Sequence, residues 1–104
     1  MKVIWQTQAK EARDTIADYI HRQFGIKRKT RFLQEVRQTT KLMRQSPNLG
    51  PIDPLFSDRP GTYRSVIING LSKMVYRIDD DVIHIVAFWD TRQEPVGQAA
   101  RVKE

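Results

Sequence analysis

Arg64, Lys73, Arg77, His84 and Arg92 are the residues of this chain whose types and spacing could do chemistry. They lie in YRSVIINGLSKMVYRIDDDVIHIVAFWDTR, residues 63–92, where Asn69-Gly70 and Asp79-Asp80-Asp81 separate runs rich in β-branched and aromatic residues. This reads as a three-strand antiparallel meander. A two-residue loop at Asn69-Gly70 would set Ile68 opposite Leu71, Val66 opposite Lys73 and Arg64 opposite Val75. Side chains alternate between faces, so Arg64, Val66, Lys73, Val75 and Arg77 then share one side. Tyr63, Ser65, Ile67, Met74, Tyr76 and Ile78 share the other. A second turn at Asp80-Asp81 places Ile78 against Ile83, Tyr76 against Ile85, Met74 against Ala87, Arg77 against His84 and Lys73 against Phe88. The same parity carries Asp90 and Arg92 to the charged side. Arg64 then has Lys73 and Arg77 as diagonal neighbours at about 7–8 Å. Like charges so close oppose folding unless an anion offsets them, which makes this face a candidate anion-binding site. A solvated sheet face has the same composition.

The elements that must position these residues follow from the rest of the chain. Val3 to Trp5 is a short apolar run suited to an edge strand. From Ala9 to Phe24 the apolar residues Ala9, Ala12, Ile16, Tyr19, Ile20 and Phe24 recur every three or four positions, an amphipathic helix with Thr7 as N-cap and Gly25 as stop. A second helix spans Lys27 to Gln45, with Phe32, Leu33, Val36, Thr40 and Met43 as its apolar stripe and Lys27, Arg28, Lys29, Arg31, Arg37, Lys41 and Arg44 on its outer side. Ser46-Pro47 ends it. The connection is too short for anything but an antiparallel helical hairpin. Residues 47–62 hold four of the five prolines, so they form an irregular loop, which Leu49, Ile52, Leu55 and Phe56 should anchor by burial. The predicted fold is α+β: a helical hairpin on one face of a four-strand antiparallel sheet, in the order β-α-α-β-β-β. Ile16, Ile20, Phe32, Val36, Ile67, Met74, Tyr76 and Ile85 make its expected core, and the cationic face is expected to stay open.

With 104 residues the chain is expected to form one domain. Eighteen Lys and Arg against twelve Asp and Glu, a net charge of +6, favour an anionic partner: nucleic acid, an acidic protein or a membrane surface. The absence of cysteine excludes disulfides, thiolate metal sites and cysteine nucleophiles. MKVIWQTQAKEA lacks the apolar stretch of a signal peptide or a membrane span, so a cytoplasmic protein with no membrane partner is expected.

The short strand, the helical hairpin, the Pro-rich loop and the motifs Tyr63-Arg64, Met74-Val75-Tyr76-Arg77 and Ala87-Phe88-Trp89-Asp90-Thr91-Arg92-Gln93 resemble the RelE/ParE superfamily of type II toxin-antitoxin toxins over residues 2 to 95. The resemblance implies a toxin domain over 1–95 with a tail at 96–104, which is either disordered or ordered by a partner. It also implies an acidic antitoxin as partner, and one of two targets: messenger RNA in the ribosomal A site for RelE-like members, DNA gyrase for ParE-like members. RNA cleavage in this superfamily uses the ribose 2′-hydroxyl, cationic stabilisation and proton transfer without a metal or other cofactor. Arg64, Lys73 and Arg92 stand where RelE-like members carry basic active-site residues, but Val66 replaces a second lysine and no tyrosine follows Arg92. His84 is a candidate general base in its place. These departures favour the ParE-like reading; an mRNA endoribonuclease and an inactive, purely binding member are the alternatives.

No Ser/His/Asp arrangement, HExxH motif or Gly-rich phosphate loop is present, and the histidines at 21 and 84 do not suggest a metal site. Asp79, Asp80 and Asp81 read as turn residues rather than cation ligands.

Overall fold

The computed structural model describes all 104 residues. The elements run β1 (Lys2–Trp5), α1 (Thr7–Phe24), α2 (Ile26–Gln45), a 3₁₀ turn (Pro54–Phe56), β2 (Tyr63–Ile68), β3 (Ser72–Asp79), β4 (Val82–Asp90) and α3 (Pro95–Ala100). The strands form one sheet in the order β1-β4-β3-β2. β2, β3 and β4 are the antiparallel meander expected. β1 pairs with β4 in parallel, Val3 beside Ile83 and Trp5 beside Ile85, so the sheet is mixed rather than wholly antiparallel.

α1 begins with Thr7 inside the helix and Gln6 as its N-cap, which makes no side-chain cap bond. Only Gly25 separates the helices. Its φ of 90° permits the reversal, and its N–H donates to His21 O. The hairpin buries Ala9, Ala17, Phe32, Val36 and Met43 against Ile68, Met74, Tyr76, Ile83, Ile85 and Phe88. Ile16 and Ile20 pack at the margin of this cluster.

Two bulges re-aim the meander. At the first turn Asn69 and Gly70 take φ of 55° and 69°, as a tight hairpin turn requires, and Leu71 N–H donates to Ile68 O. Leu71 is nevertheless left out of the β2–β3 ladder, because its carbonyl accepts from Thr91 N–H at the end of β4. Ile68 therefore pairs with Ser72, Val66 with Met74 and Arg64 with Tyr76. That is one residue away from the expected register, and a one-residue slip turns every β2 side chain to the opposite face. Val66 and Ile68 face the helices; Ile67, expected in the core, is 53% exposed.

The second turn is as expected, with Asp80 and Asp81 at φ of 48° and 62° and Ile78 opposite Ile83, Arg77 opposite His84 and Tyr76 opposite Ile85. Beyond Ile85 a bulge at Val86 shifts the pairing, so that Met74 meets Phe88 and Lys73 meets Trp89. Phe88 joins the helix-side core, whereas Ala87 and Trp89 turn to the other face.

That other face is not an open cationic surface. Phe56, Tyr63, Val75, Val86, Ala87, Trp89, Ala99 and Val102 form a second buried cluster under the 3₁₀ turn and α3. Phe56 stacks between Tyr63 and Trp89, with ring centroids at 5.1 and 6.4 Å. Residues 95–102 thus fold back onto the sheet. In the loop, Phe56 is buried as expected, but Leu49 and Ile52 are exposed, because Tyr76 anchors this stretch instead. The Tyr76 hydroxyl donates to Pro47 O at 2.7 Å and accepts from Gly50 N–H at 3.0 Å. No helix is long and apolar enough to cross a membrane.

Candidate functional site

The five candidate residues do not form one cluster. Arg64, turned by the first bulge, is separated from Lys73 and Arg77 and donates from Nη1 to Gly50 O at 2.9 Å. It clamps the loop. The same glycine lies so close to β2 that an added Cβ would collide with Ser65 O. Arg92 emerges on the helix side of the sheet, because the Val86 bulge reverses the parity that would have carried it to the charged side. There it forms a bidentate pair with Asp90, at 3.0 Å for Nε to Oδ1 and 2.7 Å for Nη2 to Oδ2. The Arg92 guanidinium holds the Asp90 carboxyl below the usual carboxylate range despite partial burial, and is itself raised.

Lys73, Arg77 and His84 do share the second face, but its cations are already engaged. Lys73 Nζ lies 2.6 Å from Asp53 Oδ2 and 5.3 Å from the centre of the Trp89 ring. Burial of Asp53 opposes its ionisation, but the Lys73 ammonium and the Leu55 N–H outweigh it, so its pKa is lowered. Arg77 Nε donates to Glu104 Oε1, and its Nη1 lies 3.5 Å from Asp79 Oδ2. The Tyr63 hydroxyl donates to the same Glu104 oxygen at 3.2 Å. Burial and the adjacent Glu104 raise the Tyr63 pKa; the hydrogen bond to Glu104 raises that of Arg77. His84 Nδ1 is buried without a hydrogen-bond partner. The face is therefore set up as a chain of ion pairs around an apolar patch.

Asp53 and Glu104 were not legible as counter-ions from pattern alone, since 20 and 27 residues separate them from Lys73 and Arg77. Asp53-Pro54 does carry a local signal, that of an N-cap followed by proline at the first helical position, and Asp53 accepts from Leu55 N–H at 3.0 Å in this role.

An exposed apolar feature lies elsewhere. A groove of about 290 Å³ runs between α1, α2 and the β2–β3 turn. Ile16, Ile20, Phe32 and Ile68 form its floor, while Tyr19, Phe24 and Leu71 stand partly in solvent along it, at 44%, 54% and 52% exposure. The periodicity of α1 set Tyr19 and Phe24 in its apolar stripe; both instead stand at the solvent edge of that stripe, along the groove. Arg28, Arg31 and Arg92 border the groove, with Arg28 stacked 4.9 Å over the Phe24 ring. Glu35 and Asp90 stand on the same border, Asp90 paired with Arg92, so the apolar floor is rimmed by charges of both signs with one cation in excess.

The family model for the ParE toxin of the type II toxin-antitoxin system parDE matches residues 3–95. No curated protein matches. Among solved structures, one described as a chromosomal ParDE toxin-antitoxin system from P. aeruginosa is similar at a TM-score of 0.70 and 22% identity, over 86% of this chain and 95% of that one. The YoeB dimer from Staphylococcus aureus is similar at a TM-score of 0.57 and 22% identity, over 84% and 92% of the two chains. At such identity the two structures speak for the fold, a helical hairpin on a meander. The family match runs from β1 to the start of α3 and takes in both the hairpin and the strands that frame the groove, so the chain belongs to the ParE toxins of type II toxin-antitoxin systems.

Proposed function

We propose that this toxin acts on DNA gyrase rather than by cutting messenger RNA, and that an acidic antitoxin neutralises it by occupying the groove between α1, α2 and the β2–β3 turn. The observation that carries the choice of target is the fate of the cationic cluster. Phosphate cleavage needs free cations and a proton-transfer group converging on one reacting centre. Here Arg64 holds Gly50, Lys73 is neutralised by Asp53, Arg77 is taken by Glu104, and Arg92 lies on the opposite side of the sheet. His84 faces Arg77 without a second residue positioned to orient it. On this reading residues 1–95 are the toxin domain and residues 96–104 an appended segment that closes the second face. Arg64, Lys73 and Arg77 are then scaffold residues, and Arg92 belongs to the partner surface.

The test is expression of the chain in growing bacteria, alone and with the product of any small acidic reading frame found adjacent to its gene as candidate antitoxin. Translation, mRNA ends on ribosomes and DNA breaks are followed in the same cells. DNA breaks with intact messages are expected, relieved by co-expression. Ribosome-positioned mRNA cuts that disappear in the His84→Ala variant would overturn the proposal in favour of an endoribonuclease.

A further inference from the structure

The charge of this protein is not spread over its surface. α2 carries seven cations, Lys27, Arg28, Lys29, Arg31, Arg37, Lys41 and Arg44, against the single carboxylate of Glu35, which gives +6. The whole chain is also +6, so the eleven cations and eleven carboxylates outside α2 cancel. Of the eleven cations outside, Arg13, Lys73, Arg77 and Arg92 have a carboxylate within ion-pair distance; of the seven on α2, only Lys29 does, with Asp18 at 4.0 Å.

At 100° per residue, positions 27, 31, 34, 38, 41 and 45 fall on one line directly opposite the buried Phe32, Val36 and Met43. That line reads Lys, Arg, Gln, Gln, Lys, Gln, and Arg37 and Arg44 flank it. From Lys27 to Arg44 it extends about 25 Å, the length of roughly seven base pairs of duplex. A protein-docking face needs apolar anchors at its centre, and this line has none, in contrast to the groove beside it. The line itself offers cations and amide donors, the groups that contact phosphate and sugar oxygens, with Leu42, 49% exposed, and Glu35 to one side of it.

We propose that the outer face of α2 is a sequence-independent track for the phosphate backbone of duplex DNA. It shares Arg31 with the border of the groove but otherwise runs along the opposite side of α2 from the sheet, and it stands or falls independently of the target assigned above. Four to five phosphates neutralised along α2 correspond to a slope of about −4 in log affinity against log salt, with affinity in the micromolar range or weaker at physiological salt.

The experiment uses the full chain and a labelled duplex of random sequence, followed by fluorescence anisotropy over a range of salt. Two variants remove equal charge: Arg37→Gln, Lys41→Gln, Arg44→Gln on α2, and Lys2→Gln, Lys10→Gln, Arg22→Gln at exposed positions elsewhere. Circular dichroism checks that both are folded, and single Lys41→Gln serves if the triple variant is not. The α2 variant should lose at least ten-fold in affinity, with the slope reduced by about 2 to 3; the other should change less than about two-fold. Equal losses in the two variants, or no binding by wild type at low salt, would overturn the proposal. Polyglutamate that competes as well as unlabelled duplex at equal charge would reassign the face to an acidic protein.

Discussion

Replacing Lys73 with Met separates a scaffold role from a catalytic one. In the folded protein the Asp53 side chain is 2% exposed and that of Lys73 16%, with 2.6 Å between their charged atoms. The methionine fills the stem of the lysine against Trp89 but leaves the carboxylate buried without a counter-ion, with the Leu55 N–H and the Ser65 hydroxyl as donors. Removing one partner of a buried pair costs about 3–5 kcal/mol. The residual exposure of Lys73 places the expected loss near the lower end, about 3 kcal/mol, or a fall in Tm of about 15 °C for a domain of this size. Against a total stability of about 5–15 kcal/mol, this alone would deplete the folded toxin in cells. Urea denaturation followed by circular dichroism measures the loss directly. Adding Asp53→Asn should restore at least half of it, since the amide oxygen can still cap the turn and no buried charge remains. The pH dependence has a defined sign. Asp53 has a depressed folded pKa, so its contribution is present above the ordinary carboxylate pKa of about 3.9 and is lost as pH falls through the folded value. Asp53→Asn should therefore flatten the acid limb of the stability profile. Toxicity abolished by Lys73→Met with stability unchanged within about 0.5 kcal/mol would refute the reasoning and return Lys73 to catalysis.

Tyr76→Phe removes the hydroxyl that holds Pro47 and Gly50 and leaves the Gly50 N–H unpaired; a loss of about 2 kcal/mol is expected by chemical denaturation. Gly50→Ala should cost at least as much, because β2 backbone occupies the space its Cβ needs. Ile67→Ala should change stability by less than about 0.5 kcal/mol, whereas Ile85→Ala should cost about 3 kcal/mol, a contrast that tests the bulged register directly. Arg92→Glu should lower Tm by no more than about 5 °C, through loss of one exposed pair with Asp90, while weakening co-purification with a co-expressed acidic antitoxin, because the residue is exposed and borders the groove.

Sequence alone determined what depends on local periodicity and turn chemistry. The helical stripes, Gly25 between the helices, the positive-φ turns at Asn69-Gly70 and Asp80-Asp81, and the order of the elements are all written in residues a few positions apart. They sufficed for the fold and for the family resemblance. The faces of the meander were decided elsewhere. VIHIVAFW is apolar in both alternating sets, so either parity buries hydrophobic surface, and the bulge at Val86 lets Ile85 and Phe88 face the helices together while Trp89 packs on Phe56. The first bulge depends on Thr91, which captures the Leu71 carbonyl from the far end of β4. Each bulge moves one candidate cation: Arg64 leaves the charged face at the first and Arg92 at the second. The counter-ions Asp53 and Glu104 arrive from segments distant in sequence, and α3 closes the face that the strand pattern alone left open. Pairing across the sheet and long-range charge neutralisation are global properties, and a pattern with period two cannot record which competing register the rest of the chain will stabilise.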